Sequence, residues 1–181
     1  MMHGTIASAH AKIKESLANG GVAIDATCGN GKDTVFLATH ATRVIAFDVQ
    51  KKAIENTERI LMDVGLSDKV RCIHASHDTI SDAVQESVRV VVFNLGYLPG
   101  GDASLTTRKD TTIAAIRQAL NVLEPGGLLS VTVYPGHKHG AEEAEALEVY
   151  AARLPAKQFT AVIERVMNRQ DAPHNIFVYK H

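Results

Sequence analysis

A doubly wound α/β fold is predicted by three features of this 181-residue sequence. Short β-rich apolar runs alternate with helical patterns along the whole chain, the pattern of a parallel sheet built from β-α-β units. The early runs are apolar at nearly every position, which a strand requires when helices cover both faces of its sheet. The connection between the last two runs, Met167 to Asn175, is too short for a parallel crossover, so these strands pair antiparallel at one edge. The expectation is one domain over residues 1–181 with a seven-stranded, mostly parallel sheet, an antiparallel last strand, and helices on both faces.

Each element follows from local chemistry. Ala7 to Leu17 reads as a helix and is closed by Gly20-Gly21, after which Val22 to Ala26 forms the first strand. Lys32 to Thr39 is helical, Val44 to Phe47 extended, and Lys51 to Val64 helical until Gly65 ends it. Val70 to His74 is the third strand, Thr79 to Val84 a short helix, and Val88 to Phe93 the fourth strand. The helix over Thr106 to Leu123 stops at Pro125-Gly126-Gly127; the strand over Leu128 to Tyr134 stops at Pro135-Gly136. Ala141 to Leu154 is the last helix, and Phe159 to Val166 and Ile176 to Tyr179 are the last strands.

Composition narrows the functional classes. With 45% hydrophobic, 22% charged and 5% aromatic residues, the chain is an ordinary globular sequence large enough for a core without metal or disulfide staples. Nineteen Lys plus Arg against 20 Asp plus Glu leave a net charge of −1, so no bulk positive field marks a nucleic-acid partner, although a local basic face can still serve one. The two cysteines, Cys28 and Cys72, form no C-x-x-C pair and suit a reducing compartment. The first residues carry Lys12, Lys14 and Glu15 where a signal peptide needs an apolar run, and no stretch approaches 18 apolar residues. A soluble, cytoplasmic protein without membrane contact is expected.

The first informative segment is Val22-Ala-Ile-Asp-Ala-Thr-Cys-Gly-Asn-Gly-Lys-Asp33, a strand that enters a glycine turn and then a helix. Glycine suits a backbone that bends sharply and approaches a ligand closely. A dinucleotide fingerprint would place glycine at Thr34 and no acid at Asp25. A carboxylate there repels a pyrophosphate but suits an ammonium group. Asp48 ends the second strand, where it can accept both hydroxyls of a ribose, and Gln50 follows two positions on. A plain tight turn, with Asp48 only capping the next helix, is the simpler alternative; the two acids together favour an adenosyl amino acid.

These features resemble the class I S-adenosylmethionine-dependent methyltransferases, a Rossmann-like superfamily whose seven-stranded sheet ends antiparallel, and the resemblance spans essentially the whole chain. It implies S-adenosylmethionine as cofactor, with Gly29, Asn30 and Gly31 along its methionine part, Asp48 on its ribose, and the Ala75-Ser76-His77-Asp78 loop at its adenine. The expected cofactor set is Asp25, Cys28, Gly29, Asn30, Gly31, Asp33, Asp48, Gln50, Ser76 and His77. The sequence departs from the superfamily where Thr27 stands in place of a common glycine.

The second segment, Phe93-Asn-Leu-Gly-Tyr-Leu-Pro-Gly-Gly-Asp102, follows the fourth strand, so Asn94 should project over the same crevice as Gly29. An Asn oxygen can accept from an amine and aim its lone pair, while Tyr97 offers a face for a base. Asn94-Leu-Gly-Tyr97 is similar to the Asn-Pro-Pro-Tyr motif of amino-group methyltransferases, without its prolines. The combined strings Asp25 to Thr34, Asp48-Val-Gln50, Ser76-His77, Asn94 to Asp102 and Val133-Tyr-Pro-Gly-His137 resemble a small bacterial family long labelled rRNA methylases and associated with the MnmM-type tRNA methyltransferases. That resemblance implies methylation of the aminomethyl group on the wobble uridine of tRNA.

An alkylamine is mostly protonated at neutral pH, and freeing its lone pair costs on the order of 4 kcal/mol. Asp102, Asp25, His137 and Tyr134 are the candidates to take that proton, unless water does. Asn94, Tyr97 and Asp102 form the expected catalytic set, and Tyr134, His137, Lys138, Arg108 and Arg169 the expected substrate contacts for a tRNA anticodon stem-loop. Lys109, His139 and Arg165 are further basic candidates, and His10 is expected to pack or line the cofactor mouth. The pairs His74/His77 and His137/His139 lack a third ligand, so no metal is expected. The rivals are methylation of rRNA, another RNA or a small amine, and a non-catalytic RNA- or nucleotide-binding module. An exposed apolar helix face would suit a homodimer.

Overall fold

Strands with Val, Ile, Leu and Phe at successive positions must bury both faces, and the computed structural model shows how they do so; it describes residues 3–96, 107, 109–136 and 138–181. In chain order the elements are α1 (His3–Ser16), β1 (Val22–Asp25), α2 (Lys32–His40), β2 (Arg43–Asp48), α3 (Lys51–Asp63), β3 (Val70–His74), α4 (Ile80–Ala83), β4 (Val88–Asn94), α5 (Lys109–Val122), β5 (Leu123–Val133), α6 (Lys138–Ala152), β6 (Phe159–Glu164) and β7 (His174–Lys180). The sheet order is β3-β2-β1-β4-β5-β7-β6. The strands from β3 through β5 pair parallel, and β7 lies antiparallel to both β5 and β6. The seven-stranded, mostly parallel sheet expected from the sequence is therefore present.

Alternate side chains feed two cores. Ala23, Val44, Val90 and Val92 face Ala9, Ile13 and Leu17 of α1, Leu37 and Ala38 of α2, and Leu61 of α3. Ile24, Ile45, Val91 and Phe93 face the opposite layer, with Ala115, Ile116 and Ala119 of α5 and Ala144 and Leu147 of α6. Burial on both faces fixes the register, because a one-residue slip would exchange the two sets.

One expected boundary is wrong. Pro125-Gly126-Gly127 does not separate α5 from β5; the strand starts at Leu123, paired to Val88, and the register shifts before Val90 meets Leu128. Gly126 takes a φ of 79°, and a Cβ on Gly127 would lie 2.9 Å from the Glu124 carbonyl oxygen and 3.0 Å from that of Arg89. The glycines thus form an irregularity inside the strand rather than a turn before it. The short helix expected from Thr79 is a 3₁₀ turn over His77–Thr79 followed by α4. Other ends move by a few residues, as helix and strand termini do. Among the described residues no helix is long and apolar enough to cross a membrane.

Candidate active site

Register places the chemistry. Asp25 pairs with Ala46 and Val92, Asp48 with His74, and Asn94 with Thr132, so the carboxyl ends of β1, β2 and β4 open onto one edge of the sheet. In an open parallel sheet that edge is where ligands bind.

The turn between β1 and α2 is held from below and from the side. Gly29 and Gly31 have φ of 53° and 79°, in the left-handed region that glycine adopts without strain. A Cβ on Gly31 would meet Ile60 Cγ2 at 2.8 Å and Thr57 Cα at 3.0 Å, so α3 packs directly on this backbone. The Gly29 amide donates to Asp48 Oδ2 and the Gln50 amide to Asp48 Oδ1, both at 2.9 Å. Asp48 thus clamps the glycine turn to the start of α3, and each oxygen retains a lone pair for a ligand hydroxyl. Asn30 is exposed, and its Oδ1 accepts from Asn56 Nδ2 at 3.3 Å. Gln50 and Ser76 are half-buried at the same edge.

Asp25 requires a correction. Expected beside the ligand, it is completely inaccessible, with Thr34 Oγ1 donating to Oδ2 at 2.6 Å and the Thr27 amide donating to Oδ1 at 3.2 Å. Burial first, and then the charge of Asp33, push its carboxyl up to about 7 against the pull of those two hydrogen bonds. Asp25 shapes the turn from within. Cys28 is also buried, against Ala46 and Ile54, and burial raises its thiol far above the ordinary value, which removes it as a thiolate nucleophile.

His77 lies at the adenine end of the expected cofactor path, 7% exposed, with its ring edge-on to Phe93 at 5.6 Å. Burial lowers its pKa against the charge of Asp78 and a hydrogen bond to the Ala26 backbone, and its Nε2 has no partner within the protein. The nitrogen is itself inaccessible, so this buried, neutral imidazole carries an unmet hydrogen-bonding position at the strand edge.

The second centre is a chain of side chains around Asn94. Its amide N–H donates to Thr27 Oγ1 at 2.8 Å, and its side-chain Nδ2 donates to Asp33 Oδ2 at 3.0 Å. His10 of α1 donates from Nε2 to Asp33 Oδ1 at 2.9 Å, its ring stacked on Phe36 at 3.8 Å and 6°. Burial alone would raise the Asp33 pKa, but the hydrogen bonds from His10 and Asn94 outweigh it and hold the carboxylate ionised. The Tyr134 hydroxyl contacts Asn94; burial and the Asp33 charge raise its pKa, making it a donor rather than a base at neutral pH. Ile6, Ala9, His10, Asp33, Phe36 and Asn94 line a cavity here.

Tyr97, Asp102, Arg108 and His137 lie outside the described residues. Flanking the segment that carries Tyr97 and Asp102, Gly96 N–H donates to Thr107 Oγ1 at 3.0 Å, and the Thr107 hydroxyl donates to buried Glu143 at 2.8 Å. Lys138 at the start of α6 and Arg169 between β6 and β7 are exposed, brought toward the Asn94 edge by the pairing of Val133 with His174. Among the described residues no three His, Cys, Asp or Glu side chains gather as a metal site. Sequence reasoning missed two residues. Thr27 was noted only as a missing glycine, yet its hydroxyl joins the glycine turn to β4. His10 was assigned to packing or the cofactor mouth, and no sequence pattern pairs it with Asp33.

Topology and edge chemistry together define a Rossmann-like class I methyltransferase. The family model described as "Putative rRNA methylase" matches residues 44–180, and the chain belongs to that family. It is 39% identical to the chloroplastic tRNA (mnm(5)s(2)U34)-methyltransferase of Arabidopsis thaliana, over 95% of this chain and 68% of the relative. A "putative rRNA-methylase" from Clostridium thermocellum superposes with a TM-score of 0.95 at 37% identity, covering 98% of this chain and 97% of that one. A "putative methyltransferase" from Streptococcus mutans, solved in complex with SAH, gives a TM-score of 0.92 at 37% identity over 100% of both chains.

Proposed function

We propose that this chain is a single-domain cytoplasmic tRNA methyltransferase that moves a methyl group from S-adenosylmethionine to the amino group of 5-aminomethyl-(2-thio)uridine at the wobble position. The observation that carries the reading is the junction of the glycine turn with Asn94 through Thr27 and Asp33, which supports a donor site at the turn beside an amine acceptor site at Asn94. The relative named for U34 supports the choice of base. The residues present suit the cofactor: a left-handed glycine turn free of Cβ, a strand-end carboxylate with lone pairs to spare, and a buried imidazole nitrogen without a partner. When bound, the cofactor supplies a sulfonium methyl group already activated for transfer, so positioning of the nucleophile accounts for much of the rate.

The chain's own residues then have distinct tasks. Asp48 accepts ribose hydroxyls while keeping the turn in place, and Ser76, His77 and Gln50 border the adenine and ribose. The Asn94 oxygen accepts an N–H of the substrate amine and directs its lone pair toward the donor. Partial desolvation beneath Tyr134 lowers the amine's pKa and so its cost of deprotonation. Lys138 and Arg169, with Arg108, His137 and Tyr97, grip the anticodon stem-loop by phosphate contacts and stacking.

The test is mass spectrometry of nucleosides from tRNA that lacks the final methyl, after incubation with the protein and labelled S-adenosylmethionine. One labelled methyl on the wobble nucleoside is expected. Label in an rRNA fraction with none in this tRNA would replace the reading with the rRNA alternative.

A further inference from the structure

We propose that His10, acting through Asp33, is a positioning residue that fixes which end of the Asn94 amide faces the acceptor amine; the inference rests on the amine-methylation reading above. The two ends of an Asn side chain have nearly the same shape but opposite hydrogen-bonding character, one accepting and one donating. Only the oxygen end can receive the N–H of an amine and leave its lone pair directed at a methyl donor. The –NH₂ end would oppose the amine's own hydrogens.

Asp33 resolves this choice. Its ionised carboxylate can only accept, so at 3.0 Å it captures Asn94 Nδ2 and leaves Oδ1 for the cleft. A carboxylate on a half-buried side chain can itself rotate, and the other oxygen is anchored by His10 Nε2 at 2.9 Å. The His10 ring is in turn held flat against Phe36 at 3.8 Å, and the Asn94 backbone is pinned by Thr27. The order of constraint therefore runs Phe36, His10, Asp33, Asn94, entirely along the wall of the cavity that these four side chains share. Both oxygens of Asp33 are used in this chain, which assigns it to the substrate side of the site. His10 comes from α1, ahead of the segment at 44–180 that the family model matches.

The experiment measures kcat and KM on tRNA bearing the aminomethyl group, together with SAH affinity by calorimetry, for the intact chain. For His10→Ala, kcat should fall at least about tenfold, with SAH affinity and KM for tRNA changing less than about threefold, since misorientation of a positioned group acts on the reacting step. His10→Gln, whose amide can still donate to Asp33, should recover most of the loss. Asp33→Asn should lose as much as His10→Ala. Combining Asp33→Asn with Asn94→Asp should exceed the Asp33→Asn single variant, because the amide then donates to a carboxylate whose other oxygen accepts the amine. A normal kcat in His10→Ala, a parallel loss of SAH affinity, a Gln variant no better than Ala, or a double variant no better than the single one each overturns the proposal. Failure of the wild-type chain to methylate this tRNA overturns the functional reading itself, a separate result from wild-type turnover with indifferent His10 variants.

Discussion

Replacing Asp25 by Asn should make the protein more stable, by a margin that opens above about pH 4 and grows until about pH 7. The carboxyl is fully buried between Thr27 and Thr34, and its pKa rises from 3.8 to about 7, with burial the largest cause and the charge of Asp33 the next. A folded-state pKa above the unfolded value means the folded chain holds its proton longer. The stability tied to that proton is complete below pH 4 and drains away as pH rises toward 7. Over that window the slope is about 1.4 kcal/mol per pH unit, so a gap of roughly three units amounts to about 4 kcal/mol, an upper bound because neighbours relax. An Asn keeps the geometry: its oxygen accepts from the Thr27 amide, and its –NH₂ donates to the Thr34 hydroxyl, which rotates to accept. Urea unfolding followed by circular dichroism from pH 5 to 8 is the assay, with wild type and variant compared at each pH so that other titrations cancel. The variant's advantage should grow by about 2–3 kcal/mol across that range. A difference between the two proteins that stays constant with pH would refute the buried, protonated Asp25.

Three other substitutions probe separate parts of the molecule. Asp48→Ala removes the acceptor for the Gly29 and Gln50 amides and for a ribose, and calorimetry should show SAH affinity falling at least about tenfold; unchanged affinity rejects the role. Asn94→Ala should lower single-turnover rate about a hundredfold with SAH affinity nearly intact, and a normal rate would remove it from the reaction. Lys180→Met should cost roughly 1–3 kcal/mol in urea unfolding without touching activity per folded molecule. The Lys180 ammonium caps the end of α5 through the carbonyls of Leu120 at 2.8 Å and Asn121 at 3.3 Å and also binds that of Leu123, the first residue of β5, at 2.6 Å.

The fold was legible because its signals are local and redundant. Val88 to Asn94 reads as a doubly buried strand from composition alone, and the short 167–175 connection dictates an antiparallel pair without any knowledge of neighbours. The start of β5 was not legible for the opposite reason. Pro125-Gly126-Gly127 carries the chemistry of a turn, and only the packing of Arg89 and Glu124 around Gly127 shows that the backbone is bent within a paired strand. Turn residues specify a permitted backbone; tertiary contacts decide how it is used.

At the site, sequence placed the right strand ends but assigned charge too simply. An acid at the end of β1 reads as a ligand contact because a carboxylate in a loop is normally solvated, yet Asp25 is fully buried with its pKa raised to about 7, Asp33 is ionised but bonded to His10 and Asn94, and Asp48 is the strand-end carboxylate left at the edge. The contacts that join the two halves of the site, Thr27 to Asn94 and His10 through Asp33 to Asn94, span about 20 to 70 residues of chain and follow no spacing rule. A periodic pattern can show that α1 packs on the sheet; which of its side chains turns inward over the edge depends on where β4 ends. The consequence is directional: the glycine turn and strand-end residues proposed for the cofactor were readable from motifs, whereas the hydrogen-bond chain from His10 through Asp33 to Asn94 became visible only once α1, α2 and β4 were assembled.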